Sequence, residues 1–269
     1  MVKGDASPKS GNSCQRVYLQ VCGILVKVAL MIPQHVFANF NCKDNDNYEI
    51  IVIFASEFNE SFMKKVLLIN GSPRDNGNTF TALSEVAQTL NGEGIETEII
   101  SIGKQAVQGC IACGMCGRNG ARCTFHDDLY YKVWRAVKDG IDGLVVGSPV
   151  YYGGPNGSLC ALLDRVFYSL STELRFKPAA SVVVCRRGGA SAAFDRLNKY
   201  FTMTNMPLVS SQYWNMAYGQ TPGQAAQDEE GMQTMRTLAR NMAWMIRQLN
   251  VSEDGHPELE SPLRTNFIR

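Results

Sequence analysis

The sequence predicts an α/β fold: a doubly wound, five-stranded parallel sheet of order 2-1-3-4-5 with helices on both faces. Three observations carry this. Short apolar runs at Val66–Ile69, Leu144–Val146 and Ala179–Cys185 read as strands buried on both faces, as in a parallel sheet. Between the runs, apolar residues recur at three- and four-residue steps, the period of helices packed on a sheet. The first run closes abruptly in the polar loop Asn70-Gly71-Ser72-Pro73-Arg74-Asp75-Asn76-Gly77, which opens directly into a helical pattern. In such sheets ligands bind at the carboxyl ends of the strands near the topological switch point, here strands one and three.

Residues 1–62 read differently from the rest. Lys3, Lys9 and Arg16 precede the apolar run Val17–Ile32, which Gln20 and Lys27 interrupt and Pro33 and Val36-Phe37-Ala38 follow, the outline of a secretory signal. The run is too short and too charged for a comfortable membrane span. Met63-Lys64-Lys65, immediately before the first strand, resembles a natural start and makes residues 1–62 an extension outside the fold; an added strand and helix is a third reading. The expected division is an N-terminal extension, 1–62, and one α/β domain, 63–269.

Within the domain, Phe80, Leu83, Val86, Ala87 and Leu90 mark a helix from Thr79 to Glu93, stopped by Gly92 and Gly94. Ile95–Ile102 alternates as the second strand. Asp127 and Asp128 cap a helix reaching about Lys138. Gly140–Gly147 is the third strand and delivers Ser148–Gly154, and a helix runs from Asn156 to Leu170. Ala179–Cys185 is the fourth strand, a helix spans Ala192–Phe201, and Pro207–Ser211 is the expected fifth strand. A long helix, Ala226–Leu249, carries Met232, Met235, Leu238, Met242, Met245 and Leu249 on one side, a core or subunit-interface stripe.

A hydrophobic content of 45% over 269 residues allows a substantial core. Lys and Arg total 26 against 25 Asp and Glu, so no global charge attracts nucleic acid or an anionic membrane. Nine cysteines, with Cys110, Cys113, Cys116 and Cys123 crowded together, suit metal or redox chemistry in a reducing, cytoplasmic compartment better than a disulfide framework. No G-x-S-x-G elbow occurs, and His35, His126 and His256 form no visible triad or metal set.

The loop after strand one has the parts of a one-phosphate cradle. Ser72, Asn78 and Thr79 offer side-chain donors, Arg74 a bidentate cation, and the helix start free N–H groups. A G-x-G-x-x-G or G-x-x-x-x-G-K-[ST] loop is absent. An ordinary βα turn with a capped helix is the alternative. The spacing S-P-R-x-x-x-N-T over Ser72–Thr79 resembles the FMN-phosphate loop of the NADPH-dependent FMN reductase family, a branch of the flavodoxin-like fold. The likeness runs from about Lys64 to the C-terminus. Ser148-Pro149-Val150-Tyr151-Tyr152-Gly153 is similar to that family's isoalloxazine loop, which implies flavin contacts from Pro149, Val150, Tyr151, Tyr152 and Gly153. Arg186-Arg187-Gly188-Gly189 resembles the third flavin-facing loop, which implies Arg187 and Gly188 as contacts, although the family pattern there is more often Gly-rich than doubly basic. Arg187 is then placed near the flavin or the nicotinamide nucleotide's phosphate, with a solvated charge pair as the alternative. Arg264–Arg269 also resembles the family's tail.

The spacing Cys110-x2-Cys113-x2-Cys116-x6-Cys123 supplies four thiols from one loop after strand two, with Gly109, Gly114, Gly117 and Gly120 letting it wrap tightly. It is a strong ligand signal and a weaker signal for which metal. All-cysteine zinc sites normally separate their pairs by more chain, and a metal-free redox loop is the other reading. The compact spacing resembles the iron–sulfur flavoproteins of the same family, which implies a [4Fe–4S] cluster on these residues. Together the resemblances imply FMN as cofactor, NAD(P)H as co-substrate, a small-molecule or redox-protein electron acceptor and a homodimer or homotetramer. An FMN-binding electron carrier without pyridine-nucleotide activity and a ligand-free relative are the competing readings.

Overall fold

The computed structural model describes the backbone of residues 17–21 and 24–28, and residues 64–125, 127–251, 255–261, 263 and 265. The remaining residues of the extension, His35, His126 and most of the closing hexapeptide lie outside the described residues. The chain divides into two compact units, Met1–Ser61 and Phe62–Arg269. In the first, Val17–Val21 and Ile24–Val28 pair antiparallel, with Val17 opposite Val28.

The second unit holds five parallel strands: β1 Lys65–Asn70, β2 Glu96–Ser101, β3 Gly143–Tyr151, β4 Ala179–Cys185 and β5 Met216–Tyr218. Their order is β2-β1-β3-β4-β5, the expected doubly wound, flavodoxin-like order. The helices are α1 Asn78–Gly92, α2 Asp128–Asp139, α3 Gly157–Ser169, α4 Ala190–Met203 and α5 Glu229–Val251. Strand residues alternate between two cores. Leu67, Ile69, Leu144, Val146 and Val183 pack with residues of α2, α3 and α4, while Val66, Leu68, Val145, Val182 and Val184 pack with residues of α1 and α5. A strand covered on both sides has no solvent face, which is why the sequence runs are apolar throughout.

Edge strand β2 is blunted by charge: Lys65 Nζ lies 2.8 Å from Glu98 and 3.9 Å from Glu96. The hydrogen bond that the Lys65 ammonium donates to Glu98 holds its pKa above the ordinary value against the opposing effect of burial. The methionine stripe of α5 is core: Met232, Met235, Leu238 and Met242 are buried. Among the described residues no helix is long and apolar enough to cross a membrane.

The fifth strand is not Pro207–Ser211. That segment makes one parallel bridge, Ala179 with Leu208, through Ala179 N–H donating to Pro207 O and Val209 N–H donating to Ala179 O, both 2.9 Å. Pro207 has no N–H to extend a ladder. The buried Asn215 amide donates to Val209 O at 3.4 Å and accepts from Ser211 Oγ at 2.8 Å, closing the loop. The strand itself comes later, where Met216–Tyr218 pairs with Val183–Cys185.

Two glycines set the closest approach of the layers. Gly71 N–H donates to Gly147 O at 2.8 Å, and a Cβ on Gly71 would stand 2.4 Å from Leu159 Cδ2 and 2.7 Å from that same carbonyl. A Cβ on Gly147 would meet Leu83 Cδ1 of α1 at 2.7 Å. Gly71→Ala is therefore expected to destabilise by about 1–3 kcal/mol through overpacking. Gly92→Ala meets no heavy atom within 4 Å and is expected to stabilise by about 0.4–1 kcal/mol. Urea unfolding of the two variants checks this; equal effects would contradict the packing account.

Candidate functional site

The carboxyl ends of β1, β3, β4 and β5 border an open cleft of about 180 Å³, lined by residues from Ser72 to Thr79, from Pro149 to Tyr151, from Val184 to Arg186, and by Gly219 and Gln220. Its floor is cross-linked. The buried Asn70 side chain donates to Ser101 Oγ at 3.0 Å and accepts from Ser72 N–H at 3.1 Å. Asn156 donates to Gly71 O at 2.8 Å from its amide and to Ser148 Oγ at 3.0 Å from its backbone, and its Oδ1 caps α3 through Ser158 N–H at 3.1 Å. One residue thus ties the β1 loop, the β3 end and α3. The sequence shows Asn156 as a helix start, and nothing local reveals the longer link.

One end of the cleft suits an anion. Helix α1 begins at Gly77 with no side-chain cap and no acidic residue in its first turn, so its leading N–H groups lack a protein acceptor. Ser72 and Thr79 are buried beside it, Arg74 is exposed above it, and Ser72 Oγ accepts from Arg74 N–H at 3.1 Å. Among the described residues lining the cleft there is no carboxylate, whereas Arg74 and Arg186 both contribute. Asn78 is partly committed: its Oδ1 accepts from Ala225 N–H at 3.1 Å, holding the segment after β5 against α1. Gly219 lies under that amide, where a Cβ would come within 2.7 Å of Asn78 Nδ2.

The other end is a strand ribbon. Beyond Pro149 the chain turns back at Tyr152 and Gly153, and Val150 and Tyr151 pair with Pro155 and Gly154. Both turn residues have positive φ, 51° and 75°, as a tight two-residue hairpin requires. Tyr152 holds this strained backbone with its ring fully in solvent, while Tyr151 lines the cleft. Gly189, at φ 85°, packs so close that a Cβ would lie 2.9 Å from Gly153 Cα. Arg187 and Gly188 fall outside the lining and Arg186 takes the place expected of Arg187, since successive residues leaving a strand point to opposite sides. Cys185, Gly219 and Gln220 also escaped the sequence reading. Burial pushes the Cys185 thiol up, with a backbone hydrogen bond from Arg187 opposing, so it meets the cleft as a neutral thiol.

The four cysteines gather in a second place. Cys110, Cys113, Cys116 and Cys123 line one tight hollow with Ile111, Phe125, Arg165, Tyr168 and Ser169, sharing no lining residue with the cleft. The loop winds through positive-φ backbone at Ala112, Gly114, Gly120 and Ala121 and a 3₁₀ turn, Met115–Arg118. Cys123 N–H donates to Tyr130 Oη at 3.0 Å, Trp134 Nε1 donates to Ala121 O at 2.9 Å, and Arg165 Nε donates to Cys123 Sγ at 3.3 Å. Asp127 caps α2 as expected, accepting from Tyr130 N–H at 2.8 Å. Burial opposes the Arg165 charge, but hydrogen bonds with Cys123 and Asp127 prevail and its pKa moves up. Among the described residues no three His, Cys, Asp or Glu side chains stand close enough to share a single metal ion.

A family model described as NADPH-dependent FMN reductase matches residues 64–221. An iron–sulfur flavoprotein of Methanocaldococcus jannaschii is 33% identical over 191 residues, 68% of this chain and 97% of that protein. One of Methanosarcina thermophila is 28% identical over 197 residues, 71% of this chain and 99% of that one. Among solved structures, RosB with a bound 8-demethyl-8-formylriboflavin-5'-phosphate intermediate superposes with a TM-score of 0.55 at 14% identity, covering 76% of this chain and 92% of that one. A flavone reductase gives 0.53 at 13%, covering 70% and 65%. These two are likenesses of fold alone.

The strain at Tyr152 yields a stability test. Its ring buries nothing, so Tyr152→Gly should relieve left-handed strain and raise the unfolding free energy by about 1 kcal/mol. Urea denaturation showing a loss of that size would mean the ring holds the ribbon in place.

Proposed function

The chain belongs to the NADPH-dependent FMN reductase family, and from that premise we propose an FMN-dependent oxidoreductase that takes hydride from NAD(P)H and carries a [4Fe–4S] cluster on its cysteine loop. The observation that carries the flavin part is the cleft, which joins an uncapped helix start, Ser72, Arg74 and Thr79 at one end to the Pro149–Tyr151 ribbon at the other. Bound FMN supplies hydride acceptance and the release of one or two electrons. Ser72, Thr79, the leading amides of α1 and Asn78 Nδ2 hold the phosphate, with Arg74 closing over it by a charge-assisted pair. Pro149, Val150 and Tyr151 face the ring, Tyr152 and Gly153 keep the ribbon turned, and Gly188 and Gly189 allow the β4 loop to lie against it. Arg186 brings the positive charge expected of Arg187.

The hollow fits a cluster by donor chemistry. Its ligand atoms are all sulfur, which suits iron–sulfur groups, and a cluster takes thiolates on separate irons, so its ligands ring it rather than converge on one point. A cluster bound there supplies single-electron transfer. Tyr130, Trp134 and Arg165 hold the loop that presents the thiols. With Met232, Met235 and Met242 of α5 in the core, Tyr213, Trp214, Tyr218 and Trp244 are among the exposed aromatics and support a homodimer or homotetramer. The electron acceptor is a small molecule or a redox protein.

Arg74→Ala should remove an interaction worth about 1.5–3 kcal/mol and weaken FMN roughly tenfold or more. Fluorescence titration with FMN measures this, and unchanged affinity would sink the phosphate assignment. Hydride transfer is tested separately by stopped-flow absorbance: mixing the FMN-loaded protein anaerobically with NADH or NADPH should bleach the flavin band. A flavin that both nucleotides leave oxidised would make the protein an electron carrier.

A further inference from the structure

Arg165 reaches both ends of the cysteine loop. It lies in helix α3, next to Asp164 and among Leu162, Leu163, Val166 and Phe167, with its side chain fully buried. Its Nη1 donates to Gln108 O, ahead of Cys110, at 3.4 Å, and its Nη2 donates to Phe125 O, beyond Cys123, at 3.3 Å. Between these, Nε donates to Cys123 Sγ at 3.3 Å. The guanidinium stacks over Tyr130 with 4.6 Å to the ring centroid and lies 5.5 Å from that of Phe125. Its ion-pair partner, Asp127, stands 2.5 Å away with a side chain 38% exposed, and Asp127 does not line the hollow, whereas Arg165 does. The result is a desolvated cation aimed at a thiol, with its compensating carboxylate outside the hollow and the paired oxygen, Asp127 Oδ2, itself buried.

Burying a guanidinium is costly, and packing alone would be served by an apolar residue of similar size. The geometry points to a second duty, resting on the cluster reading above. We propose that Arg165 is a positioning residue for the cluster: it fixes the two ends of the cysteine loop so that the thiols ring one hollow, and it raises the cluster's reduction potential. Reduction adds one electron and breaks no bond in the protein, so the group becomes more negative by one charge. A buried cation and an N–H donor at a ligating sulfur both favour that more negative state. Charges in a desolvated site act far more strongly than in water.

The test uses the full chain, reconstituted anaerobically with iron and sulfide, as wild type, Arg165→Lys and Arg165→Met. Iron retention against a chelator and the midpoint potential from an EPR-monitored dithionite titration are measured on each. Arg165→Met should lose iron about 10–100-fold more readily. Its potential should fall so that, at a fixed potential, the reduced-to-oxidised ratio drops about tenfold or more, a shift of about 59 mV for one electron. Arg165→Lys keeps a charge but loses the fork, so it should retain most of the potential and less of the iron. A purely structural arginine would change retention and leave the potential in place, and that result overturns the proposal. Should Arg165→Met not fold, Arg165→Lys decides: wild-type iron retention in it overturns the proposal, and weakened retention with a nearly preserved potential supports it. Wild type that takes up no iron overturns both this inference and the cluster reading, whereas iron-loaded wild type with unchanged variants overturns this inference alone.

Discussion

Everything at the carboxyl edge of the sheet depends on how closely the exit of β1 approaches β3. Gly71 donates its N–H directly to Gly147 O, and the space around it admits only hydrogen. That contact lowers the β1 loop onto the end of the neighbouring strand, and Asn156 then pins it by bonding the next carbonyl. Because Asn156 also caps α3 and bonds Ser148, the loop, the strand end and the helix carrying Arg165 share one anchor. A shift of the loop would propagate to both candidate sites.

Two kinds of positive charge are then placed, one with no acid in its lining and one paired to an acid that lies outside its hollow. In the cleft it is the start of α1, whose N–H groups lack a cap, with Arg74 and Arg186. In the hollow it is a single buried guanidinium, aimed at sulfur by four surrounding contacts. The first arrangement suits an exchangeable or dissociable anion such as a phosphate, because its cations are exposed and Coulomb energy there is screened. The second suits a permanently held group, since a desolvated cation already costs free energy to bury even when a carboxylate such as Asp127 pairs with it.

Local period and turn chemistry made most of the fold legible. The two-sided apolar runs, the α1 and α2 boundaries and the cap at Asp127 needed no tertiary information. The fifth strand did: Pro207–Ser211 has strand composition, but Pro207 offers no N–H, and Asn215 redirects the chain. The cleft-lining residues on contiguous loops, Ser72 to Thr79 and Pro149 to Tyr151, lie within short stretches that the donor pattern after β1 and the likeness of the loop after β3 single out. Those that arrive from distant strands are not singled out. Arg186 rather than Arg187 depends on which way a side chain leaves β4, and Gly219 and Gln220 enter only because Asn78 holds the segment after β5. Arg165 carried a signal that went unread, a charged pair, Asp164-Arg165, inside an apolar helix.

The central claim is that the cleft at the switch point binds FMN, and the visible absorption spectrum tests it most directly. Protein incubated with FMN, passed through gel filtration and then heat-denatured should show a flavin band before denaturation and release about one FMN per chain. Protein that emerges colourless, with no flavin released, would contradict the account.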